Sequence, residues 1–103
     1  MAKSIKRDVF CRQLKSRVRF IRLLGDPSKT GGLRSGLVTL KPQESVGEHK
    51  TSNKEEALIV LKGNATVYYG KNKKIKASQS SFVYIPPETR HNVKNSGNKI
   101  LQY

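Results

Sequence analysis

The stretch Val46–Val67, VGEHKTSNKEEALIVLKGNATV, decides how the rest of the chain is read. It sets His49, one of only two histidines, just upstream of the carboxylate pair Glu55-Glu56. Five consecutive apolar residues follow, Ala57–Leu61, and Gly63 closes the run. A continuous apolar run of this length bounded by turn chemistry suits a strand covered on both faces. The second histidine, His91, stands in a comparable setting after IPPETR.

Outward from that stretch, short strand-like runs recur: Gly36–Leu40, Ala65–Tyr69, Lys73–Ala77, Phe82–Ile85, His91–Val93 and Ile100–Tyr103. Gly63-Asn64, Gly70-Lys71-Asn72 and Ser96-Gly97-Asn98 punctuate them as turns. Nothing after Gly25 is both long and helically periodic, so the class is all-β, an antiparallel sandwich or barrel. Upstream, RVRF at Arg17–Phe20 alternates charged and apolar residues, which predicts a half-buried strand with Val18 and Phe20 facing a core. Gly25–Gly32, GDPSKTGG, reads as a loop and lacks the glycine spacing of a phosphate-binding loop. Residues 4–15 have only fair helical periodicity and are expected as a short helix or an arm. The expected organisation is a basic N-terminal arm, 1–16, followed by one barrel, 17–103.

At 103 residues the chain has room for one modest core, a size that gains stability by pairing with a copy of itself, so a homodimer is expected. It contains no apolar run of membrane-spanning length and no signal-peptide pattern, which points to a cytoplasmic protein with no membrane partner. Cys11 is the single cysteine and cannot form an internal disulfide. The net charge is +14, with 21 Lys and Arg against 7 Asp and Glu. Residues 1–22 carry eight of the cations and one acid, Asp8. Such charge attracts anions, but Phe10 and Phe20 are isolated, and no aromatic or arginine–glycine repeat accompanies the cations. On this pattern a nucleic-acid partner is not expected. Five of the acids, Glu44, Glu48, Glu55, Glu56 and Glu88, gather in the two histidine-bearing stretches, where they mark a site or else offset lysines such as Lys50 and Lys54.

These residues resemble the cupin family, small double-stranded β-helix or jelly-roll barrels that carry two short motifs. The first motif is Gly, five residues, His, one residue, His, three or four residues, Glu, six residues, Gly. His49, Glu56 and Gly63 fall on it in register, with Gln43 in place of the opening glycine and Thr51 in place of the second histidine. The second is Gly, five residues, Pro, one, Gly, two, His, three, Asn. Pro86, His91 and Asn95 match it, with Ser80 and Glu88 where glycines are usual. The resemblance covers about residues 36–103 and implies a divalent metal, Mn, Fe, Ni or Zn, held by His49, Glu56 and His91. Strand alternation agrees, since Glu56 shares a face with Leu58 and Val60, and His91 shares one with Val93. Two imidazoles and one carboxylate suit a first-row metal with open positions. Thr51 takes the fourth ligand's place with a hydroxyl; Glu48 or Glu55 could substitute, although alternation points Glu55 away from Glu56. The resemblance further implies a small polar ligand, sugar-like or carboxylate-bearing, and an isomerase or dioxygenase-like activity. The alternative is a non-catalytic, metal-free binding or sensor barrel in which His49, Glu56 and His91 form a hydrogen-bonded pocket.

Overall fold

Alternation of buried and exposed residues is clearest on Arg90–Asn95, where His91, Val93 and Asn95 are buried and the residues between them are not. The computed structural model describes residues 7–26, 28 and 30–103, and its regular elements are all strands. They are β1 Phe20–Leu24, β2 Ser35–Leu40, β3 His49–Lys50, β4 Glu56–Ile59, β5 Asn64–Tyr69, β6 Lys73–Ser78, β7 Phe82–Ile85, β8 Arg90–Asn95 and β9 Leu101–Gln102. The chain divides into two compact units, Met1–Val38 and Thr39–Tyr103.

In the second unit, one sheet runs β3-β8-β5-β6, with every pairing antiparallel. β4 pairs with β7 from Glu56↔Ile85 to Ile59↔Phe82, and β9 receives the end of β2 through Leu40↔Leu101. The segment after β4 reaches β9 as well, since the Leu61 N–H donates to the Gln102 carbonyl at 2.8 Å. Antiparallel strands joined by long returns, β3 to β8 and β5 to β8, give the jelly-roll layout. Leu40, Val67, Val93 and Leu101 are almost wholly buried in its core, each contributing about 1.5–3 kcal/mol by leaving water. Asn95 is buried among them without loss. Its side-chain amide donates to the carbonyls of Leu40 and Lys99, and its oxygen accepts from the Gly97 N–H. A buried polar group is tolerated because it is paired in this way.

Gly63 needs to be glycine on two counts: its φ is +87°, and a Cβ there would lie 2.9 Å from Leu101 Cα. The other three glycine positions of the two motifs hold Gln43, Ser80 and Glu88, and all three adopt positive φ, 71°, 67° and 55°. The backbone thus keeps the left-handed turns without the residue that adopts them most cheaply.

Two expectations need correction. Ala57–Leu61 is not covered on both faces: Leu58 and Val60 are buried, but Ala57, Ile59 and Leu61 are exposed, because β4 pairs in a two-stranded ribbon with β7 and, among the described residues, no layer lies over its outer side. In the first unit, the strand starts at Phe20 rather than Arg17, and Val18 and Phe20 face outward. The ladder to β2 begins at Phe20↔Val38, which turns Ile21 and Leu23 toward the half-buried side. Of the N-terminal arm or helix, residues 1–6 lie outside the described residues, and 7–16 carry no regular element. The loop before β2 is a turn, as expected, in its described part. Asp26 Oδ1 accepts from the Ser28 N–H, and Thr30 Oγ1 from the Leu33 N–H; Pro27 and Lys29 lie outside the described residues.

Candidate functional site

β3 is only two residues long, yet it places His49 directly opposite His91 of β8. Residues opposite each other in an antiparallel pair project to one side, and the two rings meet edge to face with centroids 4.1 Å apart. Glu56 enters from the start of β4. Its Oε2 lies 2.9 Å from His91 Nε2 and 3.9 Å from His49 Nε2. The structure therefore brings together all three residues singled out from the sequence, with their ligand-capable atoms within 4.8 Å of one another. The site is graded in depth: the His91 side chain is 0% exposed, that of Glu56 35% and that of His49 50%.

Both imidazoles are oriented in the same way, from the backbone two residues upstream. His49 Nδ1 lies 3.1 Å from the Gly47 carbonyl, and His91 Nδ1 lies 3.1 Å from the Thr89 carbonyl. A carbonyl only accepts, so each Nδ1 carries a proton and donates it, and in the neutral imidazole Nε2 keeps its lone pair. His91 Nε2 is buried, and its approach to Glu56 lacks the alignment of a hydrogen bond, so it makes none. With a neutral His91, two acceptors thus stand 2.9 Å apart in the closed part of the site.

Thr51 is not at a ligand position. Its hydroxyl donates to the Pro86 carbonyl at 2.8 Å and accepts from the Thr89 N–H at 3.0 Å, while its own N–H donates to the Thr89 carbonyl at 3.2 Å. It clamps the loop whose carbonyl orients His91. Glu48 and Glu55 do not substitute for it: Glu48 pairs with Arg90 at 3.2 Å, and Glu55 accepts from the Tyr84 hydroxyl. With Lys50–Glu88 at 3.0 Å, the acids near the histidines are mostly partners of surface groups, and Glu56 alone among the five enters the site. The bond to Glu55, more than burial, pushes the Tyr84 phenol above its ordinary pKa of 10.0. Sequence reasoning misses Thr89 and Gly47, which act through backbone carbonyls, and Asn92, whose Oδ1 holds the Gly47 N–H at 2.9 Å. The shared two-residue spacing before each histidine is the available signal, but carbonyl direction is not written in side-chain identity.

A cavity of about 170 Å³ adjoins His91 and is lined also by Tyr68, Tyr69, Lys73, Arg90 and Asn92.

Comparison with known proteins bears on this geometry. Among solved structures, the chain is similar to a Cupin 2 conserved barrel domain protein from Salinispora arenicola, with 26% identity over 87% of this chain and 74% of that one and a TM-score of 0.70. A predicted oxalate decarboxylase from Thermotoga maritima is similar at 23% identity over 81% and 72% of the two chains, TM-score 0.72. Drosophila melanogaster CENP-C, in a crystal structure bound to CAL1, is similar at 19% identity and TM-score 0.58. That match takes in 65% of this chain, which spans 58% of the length of the CENP-C chain. The last two likenesses speak to fold alone. No curated protein matches in sequence. A family model, the cupin domain, matches residues 36–103, the span that holds both motifs and all three site residues. With that match over about two-thirds of its length and the jelly-roll strands in place, the chain belongs to the cupin family.

Proposed function

We propose that the barrel binds a divalent first-row metal through His49, Glu56 and His91 and presents it to a small polar or carboxylate ligand. The observation that carries this reading is His91 Nε2: buried, without a hydrogen bond, and 2.9 Å from a carboxylate oxygen. A buried polar atom left this way is costly, and a cation between the two acceptors satisfies both. The residues fit such a group. Ligands on one metal at about 2.0–2.2 Å sit roughly 3–3.5 Å from one another, which the Glu56–His91 pair already approaches. The half-exposed His49 has freedom to close its 3.9 Å separation. The carbonyls of Gly47 and Thr89 are the outer partners that fix ligating histidines.

When bound, the metal supplies Lewis acidity toward a ligand carbonyl or hydroxyl. The chain's own contribution is to hold both Nε2 atoms bare, to keep water from His91, and to leave the His49 side open for a ligand. The site fits binding with metal-centred isomerase or dioxygenase-like chemistry. The competing reading is a metal-free, non-catalytic binding or sensor barrel, and it draws on the three-membered cluster, because the Thr51 hydroxyl is engaged by Pro86 and Thr89 and supplies no fourth ligand.

Metal analysis of protein purified without chelator separates these readings. Near-stoichiometric metal in the wild type, lost in His91→Ala and reduced in His49→Ala, is the expected result, with a thermal midpoint that rises on adding Mn, Fe, Ni or Zn. At about a hundredfold excess of metal over its Kd, the gain is about 2.7 kcal/mol. A native protein that carries no metal and whose melting ignores all four ions sinks the proposal.

A further inference from the structure

Arginine and lysine are not spread alike along this chain. Six of the seven arginines lie in the unit Met1–Val38, against four of the fourteen lysines, and the unit as a whole holds ten cations and two acids. Lysine suits a solvated surface; the planar guanidinium grips phosphates in a fork and stacks on flat rings.

Two of these arginines converge with an aromatic ring. On β1, Phe20 and Arg22 share the outward face, and across the ladder Arg22 stands opposite Gly36. A cavity of about 430 Å³ opens there, walled by Phe20, Arg22, Leu24 and Arg34 and floored by Gly25 and Gly36. The glycines are seats for the side chains. A Cβ on Gly36 would collide with the Phe20 ring, and one on Gly25 would stand 2.6 Å from Arg22 Nε. The ring is thereby laid against backbone, and 58% of Phe20 stays exposed. Among the described residues, no carboxylate pairs with the Arg22 or Arg34 guanidinium.

From this we infer that the β1–β2 groove binds single-stranded nucleic acid, a base stacking on Phe20 while Arg22 and Arg34 hold the flanking phosphates. Phe20 looks isolated in the sequence; the ladder is what gathers the two arginines beside it. The volume lies within the small-ligand range of about 300–1,000 Å³, which admits one nucleotide unit. An exposed aromatic between cations is the elementary single-strand platform, indifferent to sequence because every base has a π-face. An anionic membrane is the weaker fit. The exposed apolar residues Val9, Phe10, Leu14 and Val18 lie where the chain has no regular element, so they do not form the single apolar face that interfacial binding uses.

The chain has no tryptophan, so Phe20→Trp installs a single fluorescent reporter in the groove. Titrated with oligo-dT and oligo-rU of about twelve residues at low salt, its emission is expected to be quenched saturably, with an affinity that falls linearly on a logarithmic salt scale. By anisotropy of labelled oligonucleotide, Phe20→Leu should weaken binding about five-fold or more, and the Arg22→Ala, Arg34→Ala pair at least about ten-fold. A charge-matched pair elsewhere, Lys74→Ala with Lys76→Ala on the exposed side of β6, should cost about two-fold or less. Melting curves confirm that each variant is folded, and Phe20→Tyr should restore the wild-type affinity. Absence of saturable binding overturns the inference. So does a tryptophan reporter that stays unquenched, equal losses from the arginine and lysine pairs, or phosphatidylserine vesicles that bind while oligonucleotides do not.

Discussion

At the scale of single residues, Thr51 changes meaning most. By sequence it is an absent ligand; in the structure its hydroxyl ties Pro86 and Thr89, and Thr89 in turn orients His91. Thr51→Val keeps the shape but strips the Thr89 N–H and the Pro86 carbonyl of a partner. We expect a loss of about 1–3 kcal/mol in stability by denaturant melting, and metal affinity lowered about 10–100-fold because an outer partner of the ligand is disturbed. Unchanged affinity would show that the clamp does not position His91. Ser80 carries a different message. Its exposed side chain makes no hydrogen bond among the described residues, and its φ is 67°. Ser80→Gly is therefore expected to stabilise by about 0.5–1 kcal/mol, relief of left-handed strain outweighing the added freedom of the unfolded chain. A thermal midpoint that falls would refute this.

Among the elements, the β4–β7 ribbon is the one whose behaviour the apolar run misrepresents. Periodicity cannot say whether a second layer exists, so Ala57–Leu61 reads as doubly buried, whereas Ile59, Phe82 and Tyr84 lie on an open face. Tyr84 is anchored there by donating to Glu55 across the ribbon. A phenol whose folded pKa is raised contributes its stabilisation in full below the unfolded value of 10.0 and loses it as pH rises through the folded value. Absorbance titration at alkaline pH should show one tyrosine ionising above the usual range, absent in Tyr84→Phe. The stability difference between the two proteins should close at the alkaline end. β3 escapes a reading of the sequence because two residues carry no pattern, yet its register against β8 builds the site.

For the whole molecule, the charge of +14 and the open apolar face act in opposite directions. Proximity of two such chains is repulsive, and the repulsion is screened as the Debye length shrinks from about 10 Å at 0.1 M salt to about 3 Å at 1 M. If two copies pair through Ile59 and Phe82, as the expected homodimer would on this face, light scattering should show dimer increasing with salt and absent in Phe82→Lys. A monomer at all salt concentrations would dismiss it. Much of this protein was determined by the sequence alone: the all-β class, the two motif spacings and the three residues His49, Glu56 and His91, because turn chemistry and alternation are local and the spacings survive any folding of the loops between them. The tertiary structure decided what depends on partners distant in the chain. It made Thr51 a clamp rather than a weak ligand, drew Glu48 and Glu55 away to Arg90 and Tyr84, and left β4 half bare. It also set Phe20 on Gly36 in a groove with Arg22 and Arg34. Each is fixed by which backbone or side chain lies opposite, a fact of register and packing that no single stretch of sequence contains.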